Sequence, residues 1–329
     1  MNRDNIVLFA GNASQTVAGR IAQQLMQPLG FIQVEKFSDG ETRIEILENI
    51  RGRDVFLIQS TCPPSNEHLM ELLFMADACR RASAKSISAV VPYFGYSRQD
   101  RRPRNTRGPI SAKLVGGLIE TSGISRLITI DLHADQIEGF FSIPVDNVYS
   151  SPVLLGDIWK QKYDNIVLVS PDVGGVLRAR AIARRLDNAG LAIIDKRRER
   201  ANKSEVVNII GNVEQKIAVI FDDMVDTAGT LCNAARALKS QGACGVVAYI
   251  THAVLSGDAV KRIEASDIDE MVVTDTIPLF EEAARCGKIR QPSLDRFLGE
   301  AIWRVSNEES VSAMTHVSKG RIRSVTKSI

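Results

Sequence analysis

Short runs of aliphatic and β-branched residues recur along this chain. Each is followed by a stretch whose apolar residues return every three or four positions. A continuous apolar run of strand length marks a strand buried on both faces, and the longer three-to-four spacing marks a helix packed on one side. On that basis the sequence predicts strands over residues 6–9, 55–59, 87–92, 127–131, 166–170, 191–195, 217–221, 246–251 and 271–274. Helices are predicted over 15–26, 68–84, 111–121, 175–188, 230–241 and 294–304. The alternation points to an α/β fold with mostly parallel sheets flanked by helices.

The pattern also echoes itself. The segment from Val55 through the helix ending near Ala84 to Val91 parallels the segment from Ala218 through the helix ending near Ala243 to Tyr249. Two related halves with a boundary near 149–156 are expected, as the chain length of 329 residues also suggests.

The halves differ where the strand meets the helix. In the second, the apolar run 217–221 stops at Asp222 and Asp223, and Asp226, Thr227, Ala228, Gly229 and Thr230 lead into a helical pattern. A helix N-terminus presents unpaired N–H groups and a positive dipole end, which suit a phosphate. Adjacent carboxylates suit vicinal sugar hydroxyls instead. The stretch therefore reads as a ribose 5-phosphate cradle. The alternative is a plain strand–helix turn in which Asp226 or Thr227 only caps the helix. No Lys follows the Gly and there is no GxGxxG, so the known nucleotide loops do not fit. The first half has Gln59-Ser-Thr-Cys at the matching place, which cannot hold the hydroxyls in the same way.

Other polar groups collect at predicted strand ends, where open α/β sheets gather ligands. Residues 98–107 hold five arginines, among them Arg98 and Arg104, with Gln99 beside the first. Guanidinium forks suit polyphosphate oxygens. The competing reading is a solvated or nucleic-acid-binding loop, which the net charge of +2 and the lack of aromatics within the run disfavour. Asp195-Lys196-Arg197-Arg198 follows another apolar run, and cations there could neutralise a phosphoryl group in transfer, although a surface basic turn is the plainer alternative. His133 and Asp172 could hold a divalent metal, or His133 could be structural; oxygen ligands favour Mg²⁺, and an imidazole suits Mn²⁺ better. Phe37, Asp39 and Glu41 lie in a turn between strand-like runs and could clasp an adenine.

Composition changes little. It is that of an ordinary globular protein, with 44% hydrophobic and 24% charged residues. No apolar stretch approaches a membrane span, and residues 1–5 lead into a strand with no signal-peptide pattern. Five cysteines without CxxC pairing fit reduced thiols and a cytoplasmic setting. Residues 315–329 read as a frayed tail.

Taken together, the segments 37–41, 92–101, 131–134, 170–175, 195–198, 222–230 and 307–312 closely resemble the ribose-phosphate pyrophosphokinase family, over about residues 6–314. The resemblance implies two type I phosphoribosyltransferase-like domains. The first, 1–150, would hold the nucleotide, with a helix near 292–312 packing back on it; the second, 151–291, would hold ribose 5-phosphate. It implies transfer of the diphosphoryl group of MgATP to the C1 hydroxyl of ribose 5-phosphate. Phe37, Asp39, Glu41, Arg98 and Gln99 would contact ATP. His133 and Asp172 would be metal-associated, Lys196 and Arg198 the catalytic cations on a closing flap, with Arg198 also on the sugar. Asp222 and Asp223 would hold the ribose hydroxyls, and Asp226–Thr230 the 5-phosphate. A homo-oligomer, often a hexamer, is implied. So is an allosteric site for phosphate and ADP at Arg51, Arg104, Ser310 and Ser312. The rival readings are a phosphoribosyltransferase that consumes the activated sugar, a non-catalytic regulatory homologue and a basic nucleic-acid binder.

Overall fold

The computed structural model describes residues 5–314, apart from 173, 187–188 and 198–205. The predicted frayed tail at 315–329 lies outside the described residues. The chain divides into two compact units. The first takes residues 5–149, 276–278 and 293–314 of those described, and the second takes 150–275 and 279–292.

In the first unit, β1 (Ile6–Ala10), β4 (Asp54–Ile58), β5 (Ser86–Val91), β6 (Arg126–Ile130) and β7 (Val145–Val148) form a sheet in that order. Every pairing in it is parallel. The strands β2 (Ile32–Lys36) and β3 (Thr42–Ile46) make a separate antiparallel hairpin. The crossover helices are α1 (Gln15–Leu25), α2 (Ser65–Arg81) and α3 (Ser111–Thr121). From the far end of the chain α9 (Asp295–Ser306) returns to pack on α1. Its buried face is Phe297, Leu298, Ala301 and Ile302. Burying each large apolar side chain of that set stabilises by about 1.5–3 kcal/mol.

The second unit is a seven-stranded sheet. Its order is β10 (Val206–Ile210), β9 (Gly190–Arg197), β8 (Ile166–Ser170), β11 (Ile217–Val225), β12 (Gly245–Ala253), β13 (Glu270–Val273) and β14 (Ile289–Arg290). Only the β9–β10 pairing is antiparallel among these. Its helices are α4 (Ser151–Gln161), α5 (Val176–Arg185), α6 (Gly229–Ser240), α7 (Ala259–Glu264) and α8 (Glu281–Arg285). Both faces of the sheet are covered. Along β11, Ala218 and Ile220 join one buried cluster while Val219 and Phe221 join the other. This two-sided burial is why the strand is a continuous apolar run rather than an alternating one.

Two strand ends differ from the sequence-based expectation. β11 does not stop before Asp222 but runs through both carboxylates to Val225. Pairing with β8 ends at Ile220, yet β12 continues alongside, with Asp222 opposite Ile250 and Val225 opposite Ala253. Likewise β9 extends beyond 195, because β10 pairs antiparallel with it and places Val207 opposite Lys196.

Candidate active site

The turn after β11 is the most fully built feature of the second unit. Ala228 takes a left-handed conformation (φ 59°, ψ −3°) immediately before α6. The cap residue Ala228 makes no side-chain hydrogen bond to that helix, whose first turn carries N–H donors without intrahelical partners and the positive end of the dipole. The helix is held in place by its buried stripe Leu231, Ala234, Ala235 and Leu238. The turn backbone is fixed from the other side. The Ser256 N–H donates to the Asp226 carbonyl at 3.1 Å, and Arg262 Nη1 donates to the Thr227 carbonyl at 2.9 Å. Thr227 and Thr230 are exposed, Gly229 is half-buried, and Ala228 is buried. Rigid backbone donors at a helix start, rimmed by two hydroxyls, are suited to an oxyanion.

Asp222 is half-buried and Asp223 is buried. The Asp223 N–H donates to Asp222 Oδ1 at 2.9 Å. Burial first, and then the Asp223 charge and hydrogen bond, push the Asp222 carboxyl up to about 8. Arg178 on α5 opposes that shift. Its Nη1 lies 3.3 Å from Asp223 Oδ1 and 3.9 Å from Asp222 Oδ1. No sequence motif singled out Arg178. The only available signal was an Arg in the first helical turn after Ser170-Pro-Asp172.

Asp172 is exposed at the end of β8. The Ser170 hydroxyl donates to its carbonyl at 2.7 Å, and its own Oδ1 accepts from the Gly175 N–H at 2.8 Å. Lys196 stands in the β9–β10 pair, and Arg198 lies outside the described residues.

In the first unit, Phe37, Asp39 and Glu41 form the tip of the β2–β3 hairpin, and all three are exposed. The turn closes through Phe37 N–H to the Glu41 carbonyl (2.8 Å), with Gly40 at φ +93°. Asp39 Oδ1 accepts from the Glu41 N–H at 3.1 Å, and the Arg43 guanidinium lies 6.0 Å from the Phe37 ring centroid. Arg98 and Gln99 are exposed beyond β5. Gln99 is pinned at both backbone groups, its N–H to the Tyr96 carbonyl (3.2 Å) and its carbonyl from the Ala112 N–H (3.2 Å). The following loop, Arg102 to Arg107 and so including Arg104, curls around a hollow of about 660 Å³.

His133 is exposed just after β6, next to buried Asp131. It belongs to the first unit and Asp172 to the second. Among the described residues, no group of three or more His, Cys, Asp or Glu side chains is gathered as a metal cage. The proposed regulatory residues all lie in the first unit. Arg51 Nη1 donates to Ser83 Oγ at 3.0 Å. Ser310 and Ser312 share a hydroxyl hydrogen bond at 2.9 Å, and Arg304 Nη1 donates to the Ser310 carbonyl at 3.2 Å.

Parallel α/β sheets carrying such a strand–turn–helix feature define the phosphoribosyltransferase-like class of fold. Residues 6–123 match the N-terminal domain of ribose phosphate pyrophosphokinase, and residues 198–316 match the phosphoribosyl synthetase-associated domain. A ribose-phosphate pyrophosphokinase of Bordetella pertussis is 59% identical over 308 residues, covering 94% of this chain and 99% of the relative. One of Coxiella burnetii is 59% identical over 314 residues, covering 95% and 98%. The crystal structure of phosphoribosylpyrophosphate synthetase from Mycobacterium smegmatis matches with a TM-score of 0.87 at 37% identity, over 92% of this chain and 99% of that one. The chain belongs to the ribose-phosphate pyrophosphokinase family.

Proposed function

We propose that this enzyme transfers the diphosphoryl group of ATP to the C1 hydroxyl of ribose 5-phosphate, releasing AMP and 5-phosphoribosyl 1-pyrophosphate. One observation carries the reading. The Asp222–Asp223 pair stands on the last part of β11, ahead of the turn that leads into the N-terminus of α6, in a chain matched over 94% of its length by a ribose-phosphate pyrophosphokinase. In this reading the pair accepts hydrogen bonds from the sugar hydroxyls, and Asp226 to Thr230 hold the 5-phosphate. Phe37, Asp39, Glu41, Arg98 and Gln99 hold the nucleotide. Lys196 on β9 and Arg198, which lies outside the described residues, neutralise charge on the transferred group. In-line phosphoryl transfer asks for positioning and charge neutralisation more than covalent chemistry, and these residue types supply both.

A divalent ion fits the donor set in one way. Mg²⁺ is commonly held by one or two protein groups together with substrate phosphates rather than by a protein cage. Exposed Asp172, with one oxygen committed to Gly175, and exposed His133 suit that mode, with Mn²⁺ as the alternative ion. When bound, the ion would supply positive charge to offset that of the phosphates. We further propose a homo-oligomer, a hexamer in the first instance, regulated by phosphate and ADP through Arg51, Arg104, Ser310 and Ser312. A cytoplasmic setting would keep the five free thiols reduced. Among the described residues no helix is long and apolar enough to cross a membrane.

The test is AMP formation by purified protein from ATP and ribose 5-phosphate with Mg²⁺, with phosphorus NMR to place the diphosphoryl group on C1. AMP should appear only when both substrates are present. Base-dependent release of pyrophosphate from the activated sugar, without AMP from ATP, would replace the reading by a phosphoribosyltransferase. Inactivity alone with activation of an active partner would replace it by a regulatory homologue.

A further inference from the structure

We infer that Arg178 is a positioning residue for the pentose: from the first turn of α5 it holds the Asp222 and Asp223 carboxylates in an arrangement that can accept two adjacent sugar hydroxyls. The inference rests on the pentose assignment above and goes beyond it in naming what organises the pair.

Consecutive residues of a strand send their side chains to opposite faces, so the carboxylates of Asp222 and Asp223 have no geometric reason to converge. They nevertheless share one partner, Arg178 Nη1, at 3.9 and 3.3 Å. Asp222 is also turned forward along the chain, its Oδ1 accepting the Asp223 N–H at 2.9 Å. Two carboxylates drawn together this way repel, and each is partly removed from water. One guanidinium between them offsets the repulsion. Asp223, with its side chain 9% exposed, is the less exposed of the two and the nearer to that partner.

The other end of the arrangement is equally fixed. Arg178 lies in the first turn of α5, and that turn is tied to the end of β8 by the Gly175 N–H on Asp172 Oδ1 and by the Ser170 hydroxyl on the Asp172 carbonyl. A Cβ on Gly175 would lie 2.9 Å from Ser170 Oγ, so glycine is what allows α5 to settle this low on the strand end. With the helix start held there, the Arg178 side chain spans from the β8 end to the acidic pair on β11. A guanidinium used in this way organises the acceptors of the sugar rather than the phosphates.

The experiment measures steady-state kinetics of Arg178→Ala, Arg178→Gln and Arg178→Lys with Mg²⁺, together with calorimetric binding of ribose 5-phosphate. Arg178→Ala and Arg178→Gln should raise KM and Kd for ribose 5-phosphate by about tenfold or more, the scale of losing one charge-assisted hydrogen bond. KM for ATP should be unchanged, which also shows that the chain is folded. Arg178→Lys should recover most of the loss, because it restores the charge. If KM for both substrates rises together, if ribose 5-phosphate binding is unaltered, or if lysine recovers nothing, the inference is overturned. A wild-type protein that binds ribose 5-phosphate but forms no AMP would sink the proposed reaction alone, and the calorimetric comparison would still decide the role of Arg178.

Discussion

Arg290→Met should destabilise the second unit by about 2–3 kcal/mol. Arg290 sits on β14, a strand of two residues that could not hold its place by backbone pairing alone. Its guanidinium makes a two-pronged bond to Asp157 on α4, at 2.7 and 2.8 Å, and a further bond to Glu270 on β13 at 2.8 Å. The fully buried Tyr249 donates its hydroxyl to the same Asp157 at 2.9 Å, and Tyr163 donates to Glu270 at 3.2 Å. Burial holds the Tyr249 hydroxyl above its ordinary range, so it remains a donor. Removing one partner of a fully buried ion pair costs about 3–5 kcal/mol, and a surface pair about 0–1 kcal/mol. The Asp157 side chain is 13% exposed and that of Arg290 35%, so solvent screening moves the expectation below the buried range. The chain provides its own reporters, with Trp159 on α4 in the second unit and Trp303 on α9 in the first. In a Trp303→Phe background, urea unfolding followed by Trp159 fluorescence reads the second unit alone. The cost should fall when Asp157→Asn is added, since the Asp157 charge is then no longer left without its partner. A loss below about 0.5 kcal/mol, or strict additivity of the two changes, would refute the idea that Arg290 fastens β14 to α4.

Three further outcomes are expected. The Asp222 carboxyl, raised to about 8 in the folded protein, binds a proton that the unfolded chain releases near pH 4. It therefore contributes stability that is present at low pH and lost as pH rises through about 8, so the unliganded melting temperature should fall less steeply from pH 5 to 8 in Asp222→Asn than in the wild type. Ala228→Gly should stabilise by about 0.5–1 kcal/mol, the relief of a left-handed alanine less the extra freedom of glycine when unfolded, while Ala228→Val should destabilise; urea midpoints of the two variants decide it. Lys196→Ala should lower kcat by about 10²-fold or more with little change in either KM, because a cation aimed at the moving phosphoryl group acts in the transition state. A normal kcat would remove Lys196 from the mechanism.

What could be seen in the sequence follows from how each element is stabilised. Strands such as β8 and β11 are buried on both faces, so their apolar runs announce them. By contrast, β14 is held by Arg290, and α4 carries Pro152 and Gly156, so neither leaves a clear periodic signal. The extension of β11 through Asp222 and Asp223 was hidden for a related reason. Polar residues normally mark a strand end, and here only the neighbouring β12 keeps the ladder going. The residues 222–230 were legible as one motif because they are contiguous. Arg178 was not, because its importance comes from meeting carboxylates that lie more than forty residues further along the chain.

The internal echo explains why only one of the two related strand ends is a candidate for the sugar. The segment β4–α2–β5 has the same connection as β11–α6–β12, and in each unit the leading strand is flanked by an earlier parallel strand, β1 or β8. At the end of β4, Gln59 takes the place of the carboxylates and is fully buried. Its amide donates to Glu71 Oε2 at 2.6 Å and accepts from the Ala13 N–H at 3.1 Å. Glu71, itself 4% exposed, also accepts from Asn12 through the backbone at 3.2 Å and the side chain at 2.8 Å. A buried carboxylate satisfied by several donors is stable where it stands, and freeing it for a ligand would mean breaking those bonds first. The backbone donors of Asn12 and Ala13, in the turn ahead of α1, are likewise engaged by the side chains of Glu71 and Gln59. The first unit thus uses its strand-end polar groups to hold β4, α1 and α2 together. The second instead places a half-buried and a buried carboxylate side by side, braced by Arg178, ahead of the turn into α6.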